Sequence, residues 1–391
     1  MANAEKEPFE INQALQILIA SQSDGIDYTT TSKAFSDLES RLDKNNPLTS
    51  KDAEDVYNIV SSILKKLGRS EHSTSYKFEP YCKFLYLLLL RDEVPNEAGN
   101  DQMSKKAILE LLLAYGTKSE KALEYLGRAT GKGPEMSSMA MPNIMAVVRS
   151  KNGYDSKGVL SLLTHAIGSA SFSEKQILDV ISYCQSIISN RNNSYDLRGS
   201  YIQLLTDLAS RKDIGYEPVS TILVKVFHKA LENETKHSSD KPSSEKYYDR
   251  PEKQKFREAF KHAGITILES REDLPQLRTD VMKMYLGFLK ERNWLLQGEA
   301  VYFLGKALRR MSGLREEFEK IVSDNFQFLE GQYGGKKTVP AEFIKYALHV
   351  QNLKMSSEMG STWLAHRSKI PALGTTPAAG TPTPGTPLKQ R

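Results

Sequence analysis

The stretch "LGRATGKGPEM", residues 126 to 136, sets Gly127, Gly131, Lys132 and Gly133 within seven positions. Glycine lets a backbone approach an anion closely, lysine supplies charge, and a helix that follows offers unpaired amides. A Walker A loop needs four residues between its first glycine and the Gly-Lys pair, then Ser or Thr to hold magnesium. Here three residues intervene and Gly133 takes the hydroxyl position. The preceding "SEKALEYLGRAT" also reads as a helix, not as the buried strand that a P-loop follows. Nucleotide hydrolysis is therefore not expected here, and a plain phosphate contact remains. The bland alternative is a helix-helix connection.

A second loop, "EGQYGGKKTVP", places Gly331, Gly334, Gly335, Lys336 and Lys337 ahead of a helix starting near Pro340. Between Gly127 and Gly158 the cations Arg128, Lys132, Arg149, Lys151 and Lys157 face only Glu135 and Asp155. "RRMSGLREE" adds Arg309 and Arg310 at a turn, where phosphate binding and complementation of a helix C-terminus are equal readings. Arg128, Lys132, Arg149, Lys151, Lys157, Arg309, Arg310, Lys336 and Lys337 form the candidate set for contacts to a sugar-phosphate backbone. Tyr115, Tyr125, Tyr154 and Tyr333 lie close enough in sequence to stack on bases, if exposed.

Catalytic constellations are not found. The seven histidines are scattered, with no His-Glu-x-x-His, Cys-x-x-Cys or Gly-x-Ser-x-Gly pattern. Carboxylate pairs such as Asp52 with Asp55, or Glu316 with Glu319, suit solvated helix faces. His165 and His228 lie in apolar helical patterns and read as core residues. No catalytic residue, cofactor or metal is expected.

The elements that must carry these loops are helices. Apolar residues recur at three and four positions almost throughout, in about sixteen segments between Phe9 and Met355. Val56, Ile59, Val60, Ile63, Leu64 and Leu67 mark one, with Gly68 expected to close it. Ser173 and Gln176 form a capping-box pair ahead of Ile177. The fold class is all-α: a two-lobed helical bundle with flexible termini, or an α-solenoid of helical hairpins. The expected organisation is an N-terminal arm at 1–8, a helical lobe at 9–231, a polar connector at 232–254, a second lobe at 255–356 and a C-terminal arm at 357–391. That arm's Pro, Thr and Gly composition predicts disorder, and its four Thr-Pro pairs are potential phosphate acceptors.

The formal charge is +5 and the pI near 8.8, which permits a polyanionic partner without demanding one. Only Cys82 and Cys184 occur, a hundred residues apart, so no disulfide framework is expected. The longest apolar run, "FLYLLLL", falls far short of the ~20 residues of a membrane span. A soluble protein of the cytoplasm, or of the nucleus, is the expectation.

Two functions follow. The first is a packager of single-stranded RNA that neutralises phosphates without reading sequence and self-associates through its terminal arms; this is similar in architecture alone to nucleocapsid proteins of negative-strand RNA viruses, with no family motif carried over. The second is an adaptor that presents stacked hairpins to a protein partner. It rests on an internal echo: "YDLRGSYIQLLTDLASR" at 195–211 resembles "PQLRTDVMKMYLGFLKER" at 275–292, each followed by Lys-Ala-Leu. The echo resembles the hairpin unit of HEAT-like solenoids.

Overall fold

A computed structural model describes residues 11–20, 28–43, 45–69, 75–98, 102–150, 154–236 and 251–290, with single positions at 300, 303 and 307. Among these residues all regular structure is helical. The first helices are α1 (Ile11–Ala20), α2 (Tyr28–Leu42), α3 (Ser50–Arg69), α4 (Glu79–Leu89) and α5 (Lys105–Tyr115). Next come α6 (Glu120–Ala129), α7 (Pro134–Arg149), α8 (Ser156–Ser169), α9 (Glu174–Ser189) and α10 (Tyr195–Ser210). A five-residue α11 (Tyr216–Ser220) passes through a π-helical stretch, Thr221–Phe227, into α12 (His228–Lys236); α13 (Pro251–Ser270) and α14 (Pro275–Lys290) follow. Residues at both edges of the expected polar connector, 232–236 and 251–254, are thus helical.

The chain divides into two compact units. Unit 1 holds Met1–Ile222 and Asp249–Ala263; unit 2 holds Leu223–Tyr248 and Gly264–Arg391.

In unit 1 helices pack as consecutive pairs, α1 on α2, α3 on α4, α5 on α6, α7 on α8 and α9 on α10, and these pairs stack on one another. The even helices α2, α4, α6, α8 and α10 touch in succession, and α5, α7, α9 and α11 do the same behind them, with α1 on α3. Such a double row is how helical hairpins stack in a solenoid, burying a continuous core between two layers. The core is aliphatic where the rows meet: Leu85, Leu123, Leu126, Ile144, Val148, Leu162, Leu163 and Leu205 are all buried. α6 and α8 run parallel, since Gly158 lies at Glu120, Gly127 at Leu162, and Ser169 at Thr130 and Gly131.

Helix ends follow local chemistry. Ser173 and Gln176 form the expected capping box of α9, and Ser104, Asp155 and Ser194 cap α5, α8 and α10 through their side chains. Gly68 corrects an expectation. α3 runs through it to Arg69, and a Cβ there would lie 3.1 Å from the Tyr115 ring, so the glycine serves close packing and not helix closure.

One turn recurs. Arg91, Arg211 and Arg271 each follow a helix and pair with a carboxylate two residues on: Glu93, Asp213 and Asp273. Arg91 also donates to the Asp43 and Asn46 carbonyls at 2.8 and 2.9 Å, and Arg211 to that of Ala170 at 2.9 Å. An arginine from one hairpin thereby satisfies the carbonyls left unpaired where an earlier helix stops. The echo at α10 and α14 also has a structural counterpart. Both helices are sixteen residues long, with Leu197-Arg198 and Leu277-Arg278 at the same third and fourth positions. Arg198 is buried, donates to the Ile188 carbonyl at 2.7 Å and lies 4.2 Å over the Phe256 ring.

Candidate nucleic-acid interface

α6 presents two unlike faces. Ala122, Leu123, Leu126 and Gly127 turn inward. A Cβ on Gly127 would sit 2.5 Å from the Leu162 carbonyl oxygen, so this glycine is what allows α6 to lie so close to α8. The expectation that Gly127 belongs to a phosphate-binding loop is therefore wrong: it is a buried helix-packing residue. Only Gly131, Lys132 and Gly133 belong to the turn. Thr130–Lys132 form one 3-10 turn, tied down by the Thr130 hydroxyl on the Gly127 carbonyl at 2.7 Å. Gly133, with φ of +123°, reverses the chain into α7 in a conformation that disfavours side chains.

The outward face of α6 carries Lys121, Glu124 and Arg128, with Lys132 one turn further on. Glu124 meets Lys121 at 2.8 Å and Arg128 at 2.5 Å. Burial pushes its carboxyl up, but the Lys121 hydrogen bond and the Arg128 charge outweigh this and hold it below the usual carboxylate range. Two cations share one carboxylate, and Lys132 is exposed with no ion-pair partner among the described residues. The stripe from Lys121 to Lys132 thus carries a net positive charge along about 16 Å of chain at 1.5 Å per residue. Lys121 was missed in the sequence because it precedes the glycine loop; its signal is the spacing of seven to Arg128 and eleven to Lys132, which keeps all three on one face.

Arg149 and Lys157, the other candidates among the described residues, do not join this stripe. Arg149, at the end of α7, pairs with Asp179 of α9 at 2.8 Å. Lys157 opens α8 beside Asp155 and Glu120, where burial and the Asp155 charge raise the Glu120 carboxyl while Lys157 acts to lower it. The parallel packing of α6 and α8 puts Lys157 near one end of the pair and Lys132 near the other, about 18 Å of helix apart. Lys151, Arg309, Arg310, Tyr333, Lys336 and Lys337 lie outside the described residues.

Tyr115 and Tyr125, two of the candidates for base stacking, are used in packing. Tyr125 is buried and stacks on Tyr86 with ring centres 5.0 Å apart, and burial pushes its hydroxyl up to about 12. Tyr115 packs on Phe78 and fills the space beside Gly68, and Tyr154 is half-buried. His165, on α8 next to the stripe, has its pKa lowered by burial and by Arg128, against an opposing pull from Glu124. His228 packs edge-on against Phe288.

Behind the stripe, α7 floors a cleft of about 640 Å³. It is also lined by Thr130, Gly131 and Gly133 of the turn and by Ser169, Ser171 and Gln176, and Arg149 is the one charged residue among those lining it. Pro142 lies inside α7 and lacks the N–H that the Ser138 carbonyl would otherwise accept, and both residues line the cleft.

No known protein-family model matches this chain, and no curated protein matches it significantly. One solved structure, an engineered protein from the Northeast Structural Genomics Consortium, shares 12% identity with it over 88% of this chain and 77% of that chain, at a TM-score of 0.38. Among the described residues no helix is long and apolar enough to cross a membrane, and no cluster of His, Cys, Asp or Glu is arranged to hold a metal ion. Cys82 and Cys184 are free and buried.

Proposed function

We propose that this chain is a non-enzymatic, nucleoprotein-like protein that holds single-stranded RNA by its phosphates and associates with further copies of itself. The observation that carries this reading is the α6 stripe: Lys121, Arg128 and Lys132 on one outward face, with Glu124 as the single carboxylate between them. Contacts of this kind position a sugar-phosphate backbone without reading bases, and each phosphate neutralised releases counterions. The packing of Tyr115 and Tyr125 against other rings fits a site that lacks base stacking. Purified protein should carry nucleic acid, seen as a raised ratio of absorbance at 260 to 280 nm. Its affinity for unstructured RNA should fall with salt and vary little with sequence. Equal affinity at low and high salt would remove the proposal.

A second reading, an adaptor for a protein partner, is favoured by the double row of helices in unit 1. In that case the purified chain is free of nucleic acid and insensitive to nuclease.

A further inference from the structure

Among the described residues the most exposed large apolar side chain is Tyr76, 69% accessible in the 3-10 turn Ser75–Lys77. Two residues on, Phe78 is buried and packs on Tyr115 with ring centres 5.9 Å apart. The turn is thus pinned through Phe78 while Tyr76 stands in solvent. Aromatic rings ordinarily gain by burial or by packing on one another. Among the described residues no other ring and no cation covers Tyr76. An uncovered ring beside a fixed anchor is what a flat, apolar guest needs.

The same anchor gathers positive charge. Tyr115 receives the end of α3, where a Cβ on Gly68 would lie 3.1 Å from its ring. Lys65 and Arg69, one turn apart on α3, flank that glycine. Burial raises the Tyr115 hydroxyl, and the Arg69 charge opposes this, which sets Arg69 beside the ring. At the end of α5, Lys118 donates its amide to the Tyr115 carbonyl at 2.9 Å, and Lys77 is the neighbour of Tyr76. All four cations are exposed and have no ion-pair partner among the described residues. A helix C-terminus attracts cations, which is reason enough for Arg69. Lys77 stands just ahead of the start of α4, where positive charge is unfavourable, so its charge does not serve the fold. Glu79, two residues beyond it, acts on Lys121 and Tyr125. An exposed ring among cations is the combination with which single-strand binders hold bases and phosphates together.

We propose that this patch is a second contact surface for single-stranded RNA, with a base stacked on Tyr76 and phosphates held by Lys65, Arg69, Lys77 and Lys118. This rests on the RNA-binding reading, and Lys118, three residues ahead of Lys121, leads the strand on to the α6 stripe. Stacking accepts any base, so it adds affinity without sequence preference. Titration of the full-length protein, cleared of nucleic acid by nuclease, with oligoadenylate and with inorganic polyphosphate separates bases from charge. Tyr76→Ala should weaken oligoadenylate binding by roughly fivefold or more, as for the loss of one stacked base, and leave polyphosphate binding unchanged. Tyr76→Phe keeps the ring and should bind both ligands as the unaltered protein does. Lys65→Gln, Arg69→Gln, Lys77→Gln and Lys118→Gln together should weaken both ligands and lower the log–log salt slope for RNA by about 3. If the unaltered protein binds oligoadenylate and Tyr76→Ala binds it equally well, the stacked base is overturned while the RNA reading stands. Equal losses for both ligands in Tyr76→Ala, or a loss in Tyr76→Phe, overturn it too, as does a fourfold cation variant that binds both ligands undiminished. A protein that does not bind oligoadenylate at all ends the RNA reading and this surface with it.

Discussion

α6 and α7 are consecutive helices of one unit, joined by a four-residue turn, yet they present opposite chemistry to solvent. α6 shows Lys121 and Arg128 around a shared carboxylate, with Lys132 in the turn beyond; α7 shows Ser138, Pro142 and Ala146 between the exposed Glu135 and Arg149 at its two ends. Their inner faces differ much less. Both bury aliphatic side chains, Leu123 and Leu126 on one and Ile144 and Val148 on the other. The inner faces answer to packing, and the outer faces are where function has to be sought.

The comparison depends on the α6–α8 contact, so breaking that contact has the largest effect. Gly127→Ala places a methyl 2.5 Å from the Leu162 carbonyl oxygen, and the parallel helices must separate. A loss of about 3 kcal/mol or more is expected, at the upper end of overpacking costs. Gly168→Ala, in α8 with nothing within 4 Å of its Cβ, should instead gain roughly 0.5–1 kcal/mol from helix propensity. Urea denaturation of the two variants measures the difference; equal stabilities would show that the helices are not held as described.

Removing the charge from α6 while leaving α7 intact sharpens the contrast. Lys121→Gln, Arg128→Gln and Lys132→Gln together should lower RNA affinity by roughly tenfold or more near physiological salt and reduce the log–log salt slope by about 2, as expected for three phosphates on a single strand. Arg149→Gln, already engaged by Asp179 and away from the stripe, should change both little. If Arg149→Gln matches the triple variant, the interface lies on the α7 side.

A smaller effect is expected at the recurring turn. Arg211→Met keeps an unbranched apolar stem but abandons the Ile167 and Ala170 carbonyls at the end of α8 and the pairing with Asp213. About 2 kcal/mol should be lost, the typical cost of leaving partly buried acceptors unsatisfied. RNA affinity should remain unchanged, because the α6 stripe does not include this turn. A thermal melt and a binding titration on one preparation check both halves.

What could be read in the sequence and what could not divide along the range of the interactions. The Ser173–Gln176 cap needs residues three apart, and it forms as expected. The apolar periodicity of α3, α6 and α9 is likewise local, and those helices stand where the spacing placed them. Gly68 and Gly127 were misjudged for one common reason: their roles are set by Tyr115 and Leu162, which arrive from 47 and 35 residues away. A glycine beside a lysine looks the same whether it cradles phosphate or admits a neighbouring helix. The cation set was incomplete in the same manner. Helical spacing alone links Lys121 to Arg128 and Lys132, whereas only folding brings Asp179 to Arg149 and Glu120 to Lys157. The arginine turns at 91, 211 and 271 were also open to recognition, since each has an acid two residues on. The distant carbonyls that Arg91 and Arg211 reach, at Asp43, Asn46, Ile167 and Ala170, were not.

The smallest expected effect concerns pH, and here the α6 face differs from α7, which has nothing to titrate between Met136 and Val148. Glu124 is held below its ordinary range by Lys121 and Arg128 despite its burial, so the unfolded chain binds its proton more readily than the folded one. The stability this contributes is present above the unfolded carboxylate range, near 4.3, and is lost as pH falls through the lower folded value. His165 acts with the same sign. Burial and Arg128 lower its pKa, so the folded state resists the proton that the unfolded chain accepts near 6.5, and stability falls as pH drops below that point. Both groups are partly solvated and the sum should stay under about 1 kcal/mol. His165→Gln should flatten the first part of the decline, which starts at the unfolded histidine value near 6.5, and should slightly shrink the acid limb, because the His165 charge helps to hold Glu124 down. Glu124→Gln should remove that limb and, by freeing Lys121 and Arg128 from their shared carboxylate, tighten RNA binding. A Glu124→Gln variant that binds RNA more weakly would show that Glu124 orders the two cations for the phosphate chain and does not compete with it.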